Sequence, residues 1–569
     1  MRVLFKKSKK LVIGILCVFA LSFAGCSEDN SADEDVTGDT EVGTDSLDCP
    51  ECGTCTDEEC ETCTDEECAT CDTCETCDMC SDCTVDTGEE VKKAKYVFYL
   101  IGDGMSLTQV GAAEQYNASL ADSLGWINFQ DSSNQARDDD GNPFAVHDAV
   151  YLNMSTLNVT GLATTYAYNS YITDSAAAAT ALASGMKTDC GVLGRSPDLM
   201  TDYPTIAEEA KEAGMKVGII SSVSIDHATP AGFYAHNDSR NNYADISMAA
   251  VGSNIDYFAG NGPRFDKHAD GGAALISALT TDGYTITTNR SELDSATSST
   301  GKVYAYNYSN GVNIKKDSLP YVMDQTADDI SLKEFTEKGI ELLDGDKGFF
   351  MMVEAGKIDW AGHANDAAAN IKNTLHFDEI VGVALEFYKK HPHETLIVVT
   401  GDHETGGMSL GFASTGYGSW YELIDKQTVS YEVYTSELMA MMSSDTPPES
   451  LSDLNDSIEE TFGLDMDDNG TGVALTDLER SRLEAAFADT VSSGSGLSAD
   501  EQYLAYGGYY PLVIALTHIL NNKAGIGWTS YSHTGVNVPV YVTGPGEEKF
   551  IGNYDNTDIQ KFTKEAMGL

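Results

Sequence analysis

Several strand-like segments of the sequence end in residues of the types that bind metal ions. Asp103 follows the apolar YLI between two glycines, and Glu354 ends the apolar run FFMMVE. Asp402 and His403 are adjacent after TLIVVTG, where a loop allows both side chains to turn inward. Carboxylate and imidazole together suit Zn²⁺, whereas oxygen ligands alone suit Mg²⁺. Each residue alone is weak evidence, but their recurrence at strand ends predicts a metal centre.

A second group of candidate ligands lies at different positions of the chain. Asp359 and His363 are four residues apart at the start of a helical stretch, so their side chains share one face. That spacing suits a single metal ion bound by a carboxylate and an imidazole. His533 stands in SYSHTG, directly before the strand-like VPVYV. These three residues are therefore candidates for one metal site.

Ser175 stands at the start of an alanine-rich helix in YITDSAAAATALASG, residues 171–185. Serine, threonine and aspartate are preferred where helices begin, and alanine runs form helices readily. The local sequence is therefore consistent with a helix cap. The local sequence favours this interpretation over a nucleophile presented at the helix N-terminus, so a catalytic role for Ser175 has to rest on residues elsewhere in the chain.

The elements that position these residues alternate between strands and helices from Val91 onward. Short β-rich runs end in polar residues and glycine, and helical patterns at 203–213 and 366–390 separate them. This alternation predicts a three-layer α/β/α sandwich with a mostly parallel central sheet. Sites in such sheets form beyond the carboxyl ends of the strands, and we expect the polar ends of all these runs, including that of VPVYVTGPG, to lie there. Residues 420–505 fit the alternation least and are predicted to form a surface insertion or cap.

The chain is strongly acidic, with 34 Lys and Arg against 90 Asp and Glu and a net charge of −56 over 569 residues. Residues 27–90 hold 24 acidic residues and no Lys or Arg, which leaves residues 91–569 at a net −37. Such a surface disfavours nucleic acid and anionic lipid as electrostatic partners.

The first 26 residues have the pattern of a lipoprotein-type signal peptide. MRVLFKKSKK is basic, and an apolar stretch follows it and ends in FAGC. FAGC resembles a bacterial lipobox, in which Cys26 would carry the lipid anchor. We expect an exported protein, periplasmic or on the cell surface, anchored in the outer membrane. A cleaved signal peptide without lipid is the alternative.

Residues 27–90 form an acidic, cysteine-rich segment in which 11 of the 14 cysteines lie between Cys49 and Cys83. The segment has too few apolar residues for a core, so we expect a disordered or disulfide-cross-linked stalk between the signal peptide and a domain over 91–569. Repeated C-x-x-C can also bind metal ions, and metal scavenging remains an alternative.

Taken together, the motifs resemble those of the bacterial alkaline phosphatase family, from about residue 94 to near the C-terminus. They occur in the family's order: GDGM, TDSAAAATAL, HATPAG, SR, E-x4-D-x3-H, GDHE and SHTG. One of these motifs alone would be a weak match, but seven in order are specific.

The resemblance implies a role for each matching position. Ser175 would be the nucleophile that becomes phosphorylated, and Arg240 would bind two phosphate oxygens. Two Zn²⁺ ions and one Mg²⁺ ion are implied. The implied ligands are Asp359, His363 and His533 for one zinc; Asp103, Asp402 and His403 for the second; and Asp103, Thr229 and Glu354 for magnesium. His227 and Trp360 would lie near the magnesium, at positions where the family also has Asp, Lys or His.

The implied function is that of an exported, metal-dependent phosphomonoesterase, an alkaline phosphatase that releases inorganic phosphate from small phosphate monoesters. A homodimer is left open. One alternative is a phosphodiesterase of the same superfamily. Another is a surface metal-binding lipoprotein with an inactive phosphatase domain. A sulfatase is disfavoured because TDSAAAAT does not match the C/S-x-P-x-R motif of those enzymes.

Overall fold

The structure is a computed structural model that describes residues 93–121, 150–307, 317–491 and 497–569. The signal segment, Cys26 and the acidic, cysteine-rich stretch 27–90 lie outside the described residues. The predictions made for them therefore stay predictions.

A ten-stranded sheet forms the centre of the described part of the chain, in the order β16-β2-β15-β8-β1-β7-β3-β4-β6-β5. Its strands, in chain order, are β1 Tyr96–Gly102, β2 Val159–Thr164, β3 Lys216–Ser221, β4 Tyr257–Gly260, β5 Thr285–Thr287, β6 Val303–Tyr306, β7 Phe349–Glu354, β8 Thr395–Gly401, β15 Val538–Thr543 and β16 Gly552–Asp555. The shorter strands are β9 Glu404–Thr405, β10 Ser409–Leu410, β11 Leu464–Asp465, β12 Val473–Ala474, β13 Ile526–Gly527 and β14 His533–Thr534.

All neighbouring strands of the large sheet run parallel except β15, which is antiparallel to both β8 and β2. The prediction of a mostly parallel sheet is therefore confirmed. The reversed β15 has a consequence for the site, because the residues that precede it lie at the edge where the parallel strands end. Its own polar end, Thr543–Gly544, lies at the opposite edge, next to Thr395 at the start of β8. The sequence-based expectation that each run ends at the site is wrong for this strand.

Helices cover both faces of the sheet. They are α1 Leu107–Ala121, α2 Ser175–Ser184, α3 Ile206–Glu212, α4 Ala228–Ala231, α5 Tyr243–Ala249, α6 Ala273–Thr281, α7 Arg290–Ser295, α8 Leu332–Leu343, α9 Lys357–His363, α10 Ala367–Tyr388, α11 Tyr431–Met442, α12 Asn455–Phe462, α13 Asp477–Val491, α14 Ala499–Tyr506, α15 Pro511–Ala524 and α16 Asn556–Met567. The helical patterns predicted at 203–213 and 366–390 correspond to α3 and α10.

Alternate residues of the central strand β1 enter two different cores, as the two-residue period of a strand requires. Phe98 packs with Phe349 of β7 and Phe387 of α10 on one face. Tyr99 packs with Phe233 and Phe350 on the other face, which α2, α3 and α16 cover. The strands are buried on both sides, which explains their continuous apolar runs. The three-layer α/β/α prediction is thus confirmed.

Helices α11, α12, α13 and α15 build a further hydrophobic core of their own. Apolar side chains of α11, α12 and α13 pack there against α15, and this core includes Tyr434, Phe462, Leu483 and Leu516. The core extends past residue 505 into α15, so the irregular region seen in the sequence is a helical unit. Among the described residues no helix is both long enough and apolar enough to span a bilayer.

Candidate active site

The predicted chemical residues meet at one edge of the large sheet. Asp103 follows β1, Glu354 ends β7, and Asp402 with His403 follows β8. These three strands are neighbours and parallel, so their carboxyl ends bring the side chains together. His533 joins them from β14, which pairs with β9 directly after His403. The arrangement depends on the antiparallel β15, which places the residues before it at this edge.

Asp359, His363 and His533 form the first ligand group. The Asp359 Oδ1 atom lies 3.4 Å from His363 Nε2 and 3.5 Å from His533 Nε2. The Nδ1 atom of His363 donates to the Tyr531 carbonyl at 2.7 Å, and that of His533 donates to the Thr173 carbonyl at 2.8 Å. A carbonyl oxygen only accepts, so both protons are on Nδ1 in the neutral rings.

The two Nε2 atoms of this group then present lone pairs to each other at 3.1 Å. Two acceptors cannot bond to one another, and the Asp359 carboxylate beside them is a third acceptor. Three acceptor atoms that converge on one point are the arrangement in which a cation is bound. Hydrogen bonds from Nδ1 to carbonyl oxygens are also the usual outer contacts of histidines that bind metal ions.

Asp103, Asp402 and His403 form the second ligand group, which is fully buried. His403 Nε2 lies 3.4 Å from Asp103 Oδ1 and 3.3 Å from Asp402 Oδ2. Thr405 orients this imidazole, because its hydroxyl donates to Asp359 Oδ1 at 2.5 Å and faces His403 Nδ1 at 3.3 Å. The hydroxyl therefore accepts from Nδ1–H, which leaves the Nε2 lone pair free for a ligand.

A third group shares Asp103 and adds Glu354 and His227. The hydroxyl of Ser221 donates to Glu354 Oε2. The other carboxylate oxygen, Oε1, is buried without a hydrogen-bond partner among the described residues, as is the Thr229 hydroxyl. The sequence assigned Thr229 to this site and placed His227 beside it. The geometry brings the His227 ring into the same cluster.

These donor sets fit bound metal cations. Asp103, Glu354, Asp359 and Asp402 are buried together, and both oxygens of Asp103 and one of Asp402 have no hydrogen-bond partner among the described residues. Burial and the charge of Asp402 raise the pKa of Asp103 well above its ordinary value. Burial also raises the pKa of Asp402 to about 8 and that of Glu354 to about 7. Bound cations would keep these buried carboxylates ionised, so the cluster fits cation binding.

Ser175 lies directly beside the second group. It is the first residue of α2, and its Oγ is 3.3 Å from His403 Nε2. The N-cap of this helix is Asp174, whose side chain accepts from the Ala177 backbone N–H at 3.0 Å. The Ser175 hydroxyl is thus not needed as a cap. It is presented at the N-terminus of a ten-residue helix, where backbone N–H groups and the helix dipole favour an anion.

Arg240 is linked to the N-terminus of α2 through Asp174. Its Nη1 donates to Asp174 Oδ2 at 3.0 Å, while its Nη2 lies 3.3 Å from His227 Nε2. Burial and the positive charge of Arg240 lower the pKa of His227 to about 3, so this ring is neutral. Its Nε2 accepts from the guanidinium. Trp360 packs against His227 with its ring centroid 6.0 Å away.

The sequence analysis missed three residues that hold the site together. Thr405 links Asp359 to His403, and Asp174 links helix α2, which begins at Ser175, to Arg240. Glu404 accepts from Gln109 Nε2 at 2.9 Å and from the Thr534 hydroxyl, which fixes the segment that carries His533. Each stands within two residues of a predicted ligand or nucleophile. Proximity to those motifs is the only sequence signal that could have identified them.

Comparisons with known proteins agree with this geometry. The profile of the family described as alkaline phosphatase matches residues 94–261 and 255–569. Alkaline phosphatase 3 of Bacillus subtilis (strain 168) is 33% identical over 405 residues, which cover 70% of this chain and 77% of the relative.

Two solved structures are similar over most of the chain. The cold-active alkaline phosphatase of a psychrophilic Shewanella species is 28% identical, with a TM-score of 0.64 over 83% of this chain and 99% of that one. The alkaline phosphatase of Thermus thermophilus is 25% identical, with a TM-score of 0.65 over 84% of this chain and 92% of that one.

Replacing Thr405 with valine tests whether its hydroxyl supports two ligand groups at once. Thr405→Val keeps the side-chain volume but removes the donor to Asp359 and the acceptor of His403 Nδ1–H. We expect metal affinity to fall about 10- to 100-fold, as is typical when an outer contact of a ligand is lost. Competition with a chelator measures it. Thr281→Val, on the exposed surface of α6, is the control, and an unchanged affinity for Thr405→Val would contradict the assignment.

Proposed function

Because the chain belongs to the alkaline phosphatase family and is a metal-dependent phosphatase, we propose that it hydrolyses phosphate monoesters through a phosphoserine at Ser175. The observation that carries the proposal is the position of Ser175 Oγ. It lies 3.3 Å from His403 Nε2, at a helix N-terminus and beside a buried carboxylate and histidine cluster.

We propose that the site holds two Zn²⁺ ions and one Mg²⁺ ion. Their ligands would be Asp359, His363 and His533 for one zinc; Asp103, Asp402 and His403 for the other; and Asp103, Glu354 and Thr229 for magnesium. When bound, these ions supply positive charge that favours the serine alkoxide and stabilises the oxygens that become negative during displacement. His227 and Trp360 border the magnesium ligands.

In the first step the Ser175 oxygen bonds to phosphorus as the bond from phosphorus to the ester oxygen breaks. The hydroxyl proton of Ser175 is released, and the departing alkoxide is protonated to the free alcohol. In the second step water attacks the phosphoserine, the bond between phosphorus and Oγ breaks, and Ser175 is regenerated with inorganic phosphate. The N-terminal N–H groups of α2 face the phosphoryl oxygens in both steps.

Arg240 binds the phosphoryl group, and Asp174 orients the Arg240 side chain. A guanidinium presents a planar fork that pairs with two phosphate oxygens, which a lysine ammonium cannot reproduce. Asp174 Oδ2 holds Arg240, and its Oδ1 caps α2. The Asp174 carboxylate thus fixes the position of Arg240 relative to Ser175.

Replacing Ser175 with alanine is expected to lower kcat for p-nitrophenyl phosphate by roughly a thousandfold or more, because the covalent route is lost. Ser184→Ala, at the other end of the same helix, is the matched control and is expected to keep its activity. Chelator treatment is expected to abolish the activity of the wild-type enzyme. Mass spectrometry of acid-quenched enzyme should find phosphate on Ser175. A rate that survives chelation or Ser175→Ala would refute the mechanism.

Replacing Arg240 with lysine keeps the charge and removes the fork. We expect the inhibition constant for inorganic phosphate and the KM for p-nitrophenyl phosphate to rise about 10- to 100-fold, since hydrogen bonds to a charged group are lost. Steady-state kinetics with phosphate as inhibitor measure both constants. Arg290→Lys, on α7 where the arginine pairs with Glu334, is the control. Equal phosphate affinity in the Arg240→Lys and wild-type enzymes would contradict the role.

We also propose that the enzyme is exported and anchored by lipid at Cys26, as the signal-like residues 1–26 indicate. Cys26→Ser is expected to abolish incorporation of labelled palmitate and to move activity from the membrane fraction to the soluble fraction. Ala24→Ser is the control in the same segment. Labelling that persists in Cys26→Ser would exclude this anchor.

A further inference from the structure

The two ligand groups divide the site into a nucleophile side and a leaving-group side. His403 belongs to the group beside Ser175, and its ring stacks on that of His533 with centroids 3.6 Å apart. In phosphoryl transfer the attacking and leaving oxygens lie roughly in line, on opposite faces of phosphorus. If Ser175 attacks from its own side, as the proposed function requires, the leaving group departs toward Asp359, His363 and His533.

Two tyrosines, Tyr503 of α14 and Tyr531 in the segment before β14, lie next to that leaving-group side. The carbonyl of Tyr531 accepts from His363 Nδ1, and Ser532 directly precedes His533. The hydroxyl of Tyr503, on α14, lies 3.4 Å from Ser532 Oγ, and its ring meets that of Tyr531 edge-on with centroids 6.3 Å apart. Tyr503 is 51% exposed, so about half of this residue remains accessible to a ligand.

Several contacts fix the position of Tyr531, which packs against Tyr503. Its hydroxyl donates to the Ala505 carbonyl at 2.6 Å, and His518 stacks on its ring with centroids 6.0 Å apart. Gly507 directly follows α14 and has a φ of +63°. It lies so close to the Tyr531 ring that a Cβ at this position would come within 2.3 Å of the ring. Glycine at position 507 therefore allows α14 to pack against the segment that contains Tyr531 and His533.

A second exposed aromatic residue lies on the other side of the same segment. Tyr171 is 93% exposed and Ile172 is 47% exposed, directly before Thr173. The Thr173 carbonyl accepts from His533 Nδ1, and Gly535 lies against the Tyr171 carbonyl. The short stretch around His533 thus contacts the Tyr503 hydroxyl at Ser532 and the Tyr171 carbonyl at Gly535.

We propose that Tyr503 and Tyr171 border a leaving-group subsite that favours phosphate monoesters of aromatic alcohols. The inference rests on the proposed function, since the position of the leaving group follows from attack by Ser175. Aromatic pairs contribute about 0.5–1.5 kcal/mol beyond the area they bury, which corresponds to roughly a 2- to 12-fold effect. The subsite therefore adjusts specificity and leaves the chemical step to the buried cluster.

The test compares benzyl phosphate with propyl phosphate. Both release primary alcohols, so the aromatic ring is the main difference between them. The quantity measured is the ratio of kcat/KM for benzyl phosphate to that for propyl phosphate, from the release of inorganic phosphate. We expect Tyr503→Ser and Tyr171→Ser each to lower this ratio about 2- to 10-fold. Tyr503→Phe keeps the ring and is expected to keep the ratio.

Tyr417→Ser, at a tyrosine that is 89% exposed and lies in the loop after β10, is the matched control and should leave the ratio unchanged. The inhibition constant for inorganic phosphate should also stay the same in all variants, since phosphate has no leaving group. An unchanged ratio in both serine variants, which includes equal losses of kcat/KM on the two substrates, would contradict the subsite and leave the proposed function intact. A wild-type enzyme that hydrolyses neither monoester would overturn the proposed function as well.

Discussion

The mutual repulsion of four buried carboxylates, Asp103, Glu354, Asp359 and Asp402, is the interaction on which the rest of the site depends. Each is at most 3% exposed, and Arg240, whose charge reaches Asp103, already pairs with Asp174. Burial without compensation would drive Asp103, Glu354 and Asp402 to bind protons. Histidines with their Nε2 lone pairs turned inward add ligands and no positive charge. The site is therefore arranged to bind cations, and those cations in turn allow an acidic protein to bind an anionic phosphate.

The fold meets this constraint with strand direction and a few short hydrogen bonds. Parallel β1, β7 and β8 bring three carboxylates to one edge, and the antiparallel β15 returns the chain so that His533 reaches the same edge. Thr405 and Asp174 then connect parts that are far apart in the sequence. Thr405 connects the two ligand groups, and Asp174 connects helix α2 to Arg240.

The helical unit that contains α11 also contacts the helix that carries two of the candidate ligands. Lys357, on the helix that carries Asp359 and His363, is buried, and its Nζ bonds to Glu432 of α11 and to Ser318, both at 2.9 Å. The same ammonium lies 3.7 Å from the centroid of the Tyr321 ring. With Tyr531 packed under α14, these contacts connect the helical unit to the segments that carry Asp359, His363 and His533.

The sequence alone was sufficient for the α/β class, the mostly parallel character of the sheet and the set of acidic and histidine residues that meet at one of its edges, because buried strands leave continuous apolar runs and these residues follow them in recognisable motifs. It could not predict that β15 is reversed, since an apolar run carries no information about strand direction. Nor could it show that Asp174 caps the helix while Ser175 faces His403, or that Thr405 joins two ligand groups. These contacts join residues up to 228 positions apart, and only tertiary packing brings such residues together.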